Sequence, residues 1–127
     1  MKVMRRETAP RYKRDGIESF LLVSKRTSDA DQLSVTIVEM EPGGFQQIHS
    51  HHPEQMYYIL DGAGKMTVDE EVFTVSPGDC VYFHSNTSHG LENNGSTRLR
   101  YLSAASPSFT LEECDSLWPL NSYEEDL

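Results

Sequence analysis

Five histidines carry most of the chemistry in this chain, and their spacing sorts them. His49 and His51 are separated by one residue, so on a β-strand they face the same way, roughly 6.5–7 Å apart along the backbone. Two imidazoles so placed can reach one ion. Pro53 then reverses the chain, and the next strand returns Gln55 beside them. His89, from a later segment, closes the cluster from across a barrel. Three imidazole nitrogens and one amide oxygen form an incomplete shell for a divalent ion (Zn, Ni, Mn, Fe, Co or Cu), with positions left for water or a small-molecule substrate. His84 ends a strand that enters the same region, as an additional ligand, a general acid/base near neutral pH, or a rim histidine. Tyr57 and Ile59 share the parity of Gln55, and Tyr57 either binds substrate or fills the barrel. His52 reads as a turn residue, Tyr82 shares the parity of His84, and Glu54 either orients a ligand histidine or is exposed.

Holding such a cluster requires rigid strands. From residue 17 to 106, short β-branched and aromatic runs alternate with turn residues, and no long stretch has helical periodicity. Strands are predicted at 17–25, 33–41, 45–51, 55–60, 64–68, 71–75, 80–84, 89–93 and 99–106. Between them, Glu41-Pro42-Gly43-Gly44, Asp61-Gly62, Ser76-Pro77-Gly78-Asp79 and Asn93-Asn94-Gly95 supply the Pro and Gly that tight turns demand. The fold class is all-β, a jelly-roll barrel that protects the edges of many short strands, with a short helix from Leu111 to Trp118 whose Leu and Trp cover one end. The organisation reads as a basic arm over 1–16, one barrel over 17–110 and an acidic tail over 111–127.

The 127 residues suit a single domain with a real core. A net charge of −9 argues against a nucleic-acid partner, which needs a basic surface. Residues 1–14 nevertheless carry six basic groups against one acid, and 112–127 hold six acids and no base, so arm and tail are candidates to pair or are simply solvated. No apolar run approaches the roughly 20 residues of a membrane span and no secretory signal is visible, so the expectation is a cytoplasmic protein without membrane contact. Cys80 and Cys114, far apart, are read as structural thiols.

The two histidine segments resemble the two motifs of the cupin superfamily. Gly43, His49, His51 and Gly62 occupy the slots of the first, with Gln55 where the family usually has Glu. Gly78, His89 and Asn93 match the second, with His84 and Asn86 replacing a Pro and a Gly. The resemblance implies a double-stranded β-helix (cupin) barrel, a metal held by His49, His51, Gln55 and His89, and a homodimer paired through N-terminal strands. Gln55 is neutral and takes no proton, so a bound ion keeps its charge and favours Lewis-acid chemistry. Some similar cupins with a Gln ligand open or isomerise uronate sugars, but the acid they carry on a following strand has no counterpart in Tyr101-Leu102-Ser103-Ala104-Ala105. Some zinc cupins that cyclise aromatic polyketides share the His-rich shell with Gln. The leading expectation is a metal-dependent isomerase, lyase or cyclase acting on a small oxygenated molecule, with His84 and Tyr57 as catalytic candidates. The rivals are an Fe(II) oxygenase and a non-catalytic sensing barrel.

Overall fold

The runs of β-branched and aromatic residues form eleven strands: β1 Arg11–Arg14, β2 Ile17–Val23, β3 Ser34–Met40, β4 Phe45–His49, β5 Glu54–Asp61, β6 Gly64–Val68, β7 Glu71–Val75, β8 Cys80–Phe83, β9 His89–Glu92, β10 Leu99–Ser106 and β11 Tyr123–Glu124. A 3₁₀ turn at Arg6–Thr8 and two short helices, α1 Lys25–Ser28 and α2 Leu111–Leu117, accompany them among the described residues. A computed structural model of the chain describes residues 2–117 and the backbone of 123–124. Trp118, expected over one end of the barrel, lies outside the described residues.

Two antiparallel sheets face each other, with strand orders β11-β1-β2-β3-β10-β5-β8 and β4-β9-β6-β7. The alternation of side chains decides what lies between them. In β10, Leu99, Tyr101, Ser103 and Ala105 are buried while the intervening residues are half-buried, and β5 buries Gln55, Tyr57 and Ile59 in the same rhythm. Met40, Tyr57, Ile59, Met66, Phe83, Leu91, Leu99 and Tyr101 from the two sheets make the core, each no more than 2% exposed. This is the expected jelly-roll arrangement.

The ends of the barrel depend on local chemistry. Arg11–Arg14, read from sequence as part of a basic arm, is a strand, because Asp15 and Gly16 both adopt positive φ (56° and 77°) and make the two-residue turn that pairs Arg14 with Ile17. The acidic tail does meet this segment through backbone pairing, with Tyr123 and Glu124 opposite Tyr12 and Arg11. Helix α2 starts on a reciprocal cap: the Glu113 N–H donates to Thr110 Oγ1 (3.1 Å) and the Thr110 N–H donates to Glu113 Oε1 (2.9 Å). Its Cys114 and Leu117 pack on Ala105 and Phe109 beside the end of β10. Lys25, predicted to extend β2, instead opens α1, because the hydroxyl oxygen of Ser24 accepts from the Thr27 N–H and caps a helical turn.

Two motif residues act through the backbone. Gly62 has φ of 78°, and a Cβ there would run into the carbonyl of Arg98, so only glycine fits. Fully buried Asn93 donates to the carbonyls of Met40 and Thr97 (both 2.9 Å) and accepts from the Gly95 N–H (3.1 Å). Its backbone meanwhile exchanges hydrogen bonds with Gly43 and Gly44, tying the end of β9 to the start of β4. The second motif thereby braces the strand that carries the first.

Candidate metal centre

His49 ends β4 and His89 begins β9, where the two are cross-strand partners. Their rings come within 4.4 Å centroid to centroid. His51, just beyond β4, completes a triangle at 5.5 Å from His49 and 4.9 Å from His89. One ring nitrogen from each of the three lies within 4.8 Å of the others. A one-residue register shift between Gln46 and His49 makes this possible: without it, residues of opposite parity would face opposite sides of the sheet.

The tautomers follow from the partners. The Nδ1 atoms of His49, His51 and His89 lie 2.8, 3.0 and 2.9 Å from the carbonyl oxygens of Gln47, Pro53 and Thr87. A carbonyl only accepts, so each Nδ1 carries the proton and each neutral ring keeps its lone pair on Nε2. Burial pushes the pKa of His89 down to about 3, outweighing the hydrogen bond to Thr87 that raises it, and the charges of His49 and His51 lower it further. Burial also lowers that of His49, helped by the charges of His51 and Arg14. Phe83 stacks on His89 at 4.0 Å and 26°, and Phe109 meets His51 edge-on at 4.9 Å, so the rings cannot turn freely.

Gln55 joins the group from β5. Its amide nitrogen donates to Ser103 Oγ on β10 at 2.6 Å, which turns Oε1 toward His51 Nε2 at 2.9 Å. With the His51 proton on Nδ1, these are two lone-pair atoms face to face. They repel unless a cation, or a second proton on the ring, lies beside them. His89 Nε2, fully buried, has no hydrogen-bond partner among the described residues. A buried nitrogen lone pair without a donor, two further imidazoles oriented alike and an amide oxygen aimed among them fit a divalent ion. His49, His51, His89 and Gln55 are the residues that would hold it.

A cavity of about 170 Å³ opens beside these residues, with Tyr12, Arg14, Gln46, Tyr57 and Phe109 in its wall. Tyr57 lies in the core at 1% exposure, and its hydroxyl donates to Gln46 Oε1 at 2.7 Å. His84 is not brought to the cluster. Gln55 and Phe83 are cross-strand partners whose side chains share the inner face, so Tyr82 and His84 take the outer one. There His84 is exposed, with Nδ1 3.3 Å from the Tyr82 hydroxyl, which donates to Glu54 at 3.0 Å. Glu54 therefore orients no ligand histidine. His52 is exposed, and its carbonyl accepts from the Ser85 hydroxyl.

Gln46, Phe83, Ser103 and Phe109 also shape the site, without a place in either histidine motif. Phe83 was legible from the alternation Val81, Tyr82, Phe83, His84, which places the two fully apolar side chains inward. Ser103 and Phe109 depend on strand order and on the path after β10, and left no local signal.

The comparisons agree with this architecture. The model of the cupin domain matches residues 36–105, and the chain belongs to that family. An uncharacterized protein of Methanocaldococcus jannaschii is 39% identical over 71 residues, 55% of this chain and 57% of that protein, so the match spans little more than half of that relative. An oxalate-binding protein of Thermotoga maritima is 30% identical over 87 residues, 68% of this chain and 72% of that protein. Among solved structures, a predicted oxalate decarboxylase of Thermotoga maritima superposes with a TM-score of 0.74 at 25% identity, covering 84% of this chain and 99% of that one. The polyketide cyclase RemF of Streptomyces resistomycificus gives 0.73 at 21% identity over 94% of both chains, a likeness of fold. Among the described residues no helix is long and apolar enough to cross a membrane.

Proposed function

We propose that the chain is a metal-dependent enzyme that holds one divalent ion at His49, His51, Gln55 and His89 and acts as a Lewis acid on a small oxygenated molecule, in the manner of an isomerase, lyase or cyclase. One observation carries the reading: three Nδ1–H groups are tied to backbone carbonyls, which leaves three Nε2 lone pairs and the Gln55 oxygen as a neutral donor set. When bound, the ion would polarise a carbonyl or hydroxyl and lower the pKa of water, with its charge undiminished by any carboxylate ligand.

The chain's own residues do the rest. Ser103 fixes the Gln55 amide, Phe83 and Phe109 keep water from the buried faces of His89 and His51, and Arg14 brings a positive charge to the cavity wall. Burial raises the pKa of Tyr57 far above the ordinary phenol range, so this hydroxyl keeps its proton. A cavity of about 170 Å³ lies below the roughly 300–1,000 Å³ of sites for drug-sized ligands, which favours a substrate of a few carbons.

Oxidation is the second reading, because three imidazoles with open positions also suit Fe(II). Metal analysis of protein purified without added metal separates the two. Zinc or nickel at one ion per chain supports Lewis-acid chemistry, iron or copper supports oxidation, and failure to bind any divalent ion sinks both. A metal-loaded protein that binds small molecules without turnover would point to a binding barrel. Pairing of two copies as a homodimer belongs to the same proposal and is read by sedimentation.

A further inference from the structure

Gln46 stands in the cavity wall with its orientation dictated by the fold and no part yet in the chemistry. It is opposite Leu91 on β9, just before the register shift, and its side chain reaches the interior, where Oε1 accepts from the Tyr57 hydroxyl at 2.7 Å. Tyr57 cannot swing away: its ring is 1% exposed, edge-on to Phe83 at 5.1 Å and against Tyr101 at 4.4 Å. A phenol that holds its proton and donates it to Oε1 commits the amide oxygen. What Gln46 still offers is its NH₂ group, which has no acceptor among the described residues.

We propose that Gln46 is the ligand-reading residue of this cavity, presenting only donors to a small molecule beside the histidines, and that Tyr57 is its positioning residue. The proposal rests on the metal reading above and deepens it by naming the ligand chemistry. Arg14, in the same wall, also has donors and no acceptor, and the one carboxylate lining the cavity, Asp15, lies 3.7 Å from that guanidinium. Donors from Gln46 and Arg14 beside a cation site suit a ligand rich in acceptor oxygens, a small carboxylate. Sequence spacing gave no hint of this, because Gln46 and the ligand His49 differ in parity and only the bulge puts both inside.

The test is a titration of malonate, a three-carbon dicarboxylate, into cobalt-loaded protein, followed by visible absorption, with metal content measured on the same samples. Wild type is expected to take up one cobalt per chain and to bind malonate. Gln46→Leu should keep the metal and weaken malonate about tenfold, the usual size of a lost hydrogen bond to a charged group. Gln46→Glu should weaken it more. Tyr57→Phe should weaken malonate a few-fold in the wild-type background and have no further effect in the Gln46→Leu background, because its influence passes through the amide. Thermal melting verifies that Tyr57→Phe folds, and the Gln46 variants decide the matter if it does not. Absence of cobalt binding overturns the metal reading. Cobalt binding without malonate binding, unchanged affinity in Gln46→Leu, or an equal effect of Tyr57→Phe in both backgrounds overturns the ligand-reading role of Gln46 and the positioning role of Tyr57.

Discussion

Two buried polar clusters lie on this barrel, and they are finished differently. On the seven-stranded sheet, Glu39 is 2% exposed and has its cations built into the chain: Arg6 grips both carboxylate oxygens at 2.6 and 2.8 Å, with Arg98 at 3.1 Å and Arg100 at 3.4 Å. The network also reconciles Glu39 with Glu18, its cross-strand partner, a like-charge juxtaposition that would repel alone; Arg98 bridges to Glu18 at 3.7 Å. Between the sheets, His49, His51, His89 and Gln55 gather lone pairs, and among the described residues no cationic side chain is hydrogen-bonded to them. The first cluster completes itself and serves the fold. The second would be completed by an ion from outside, and that difference is what supports the metal proposal.

The contrast can be broken experimentally, beginning where the largest effect is expected. His89→Ala should lower affinity for zinc or cobalt by about a hundredfold or more, measured by chelator competition, and should abolish any metal-induced rise in melting temperature. An unchanged affinity would remove the cluster's claim to be a metal site.

Acid should begin to act on the two clusters at different pH, on the histidines first. The folded-state pKa of His89 is about 3 against an ordinary 6.5, so between those values the unfolded chain binds a proton that the folded chain does not. Metal-free protein should therefore lose a few kcal/mol of stability as pH falls from about 6.5 toward 3, followed by urea unfolding. Burial alone would raise the Glu39 carboxyl, but the Arg6 hydrogen bond and the charges of Arg6, Arg98 and Arg100 outweigh it and hold its pKa below the ordinary 4.5. Its contribution is present above that value and is lost only as pH falls below it. A single loss confined below pH 4.5 would contradict the assignment to His89.

Glu39→Gln should cost about 2 kcal/mol in urea unfolding, reduced from the value for a fully buried pair because the three arginines can rehydrate, and should leave metal affinity untouched. Ser103→Ala, which frees the Gln55 amide, should weaken metal binding by about tenfold with little change in stability. A metal affinity that followed Glu39 and ignored Ser103 would invert the comparison.

The legibility of the molecule from sequence follows the same division. Strands such as β5 and β10 were readable because one face is buried and side chains alternate strictly along them. β1 was not, since Arg11, Lys13 and Arg14 look like a solvated arm, although Asp15-Gly16 before an apolar run was a hairpin signal in plain view. His49, His51, Gln55 and His89 could be grouped by parity and motif spacing. Of the three readings of His84, the rim histidine fits the geometry, because Phe83, on the face toward Gln55, is the residue that turns inward and stacks on His89. Ser103 and Gln46 were invisible, because their roles depend on which strand lies beside which and on one bulge in β4.

The central claim is that the three Nε2 atoms and Gln55 Oε1 form the ion's protein ligands. A crystal structure of cobalt-loaded protein, with anomalous scattering locating the ion, tests it most directly. The expected result is one site per chain, contacted by Nε2 of His49, His51 and His89 and by Oε1 of Gln55, with each Nδ1 still donating to its carbonyl. An ion coordinated through any Nδ1, or seated at His84 and Glu54 on the outer face, would contradict it.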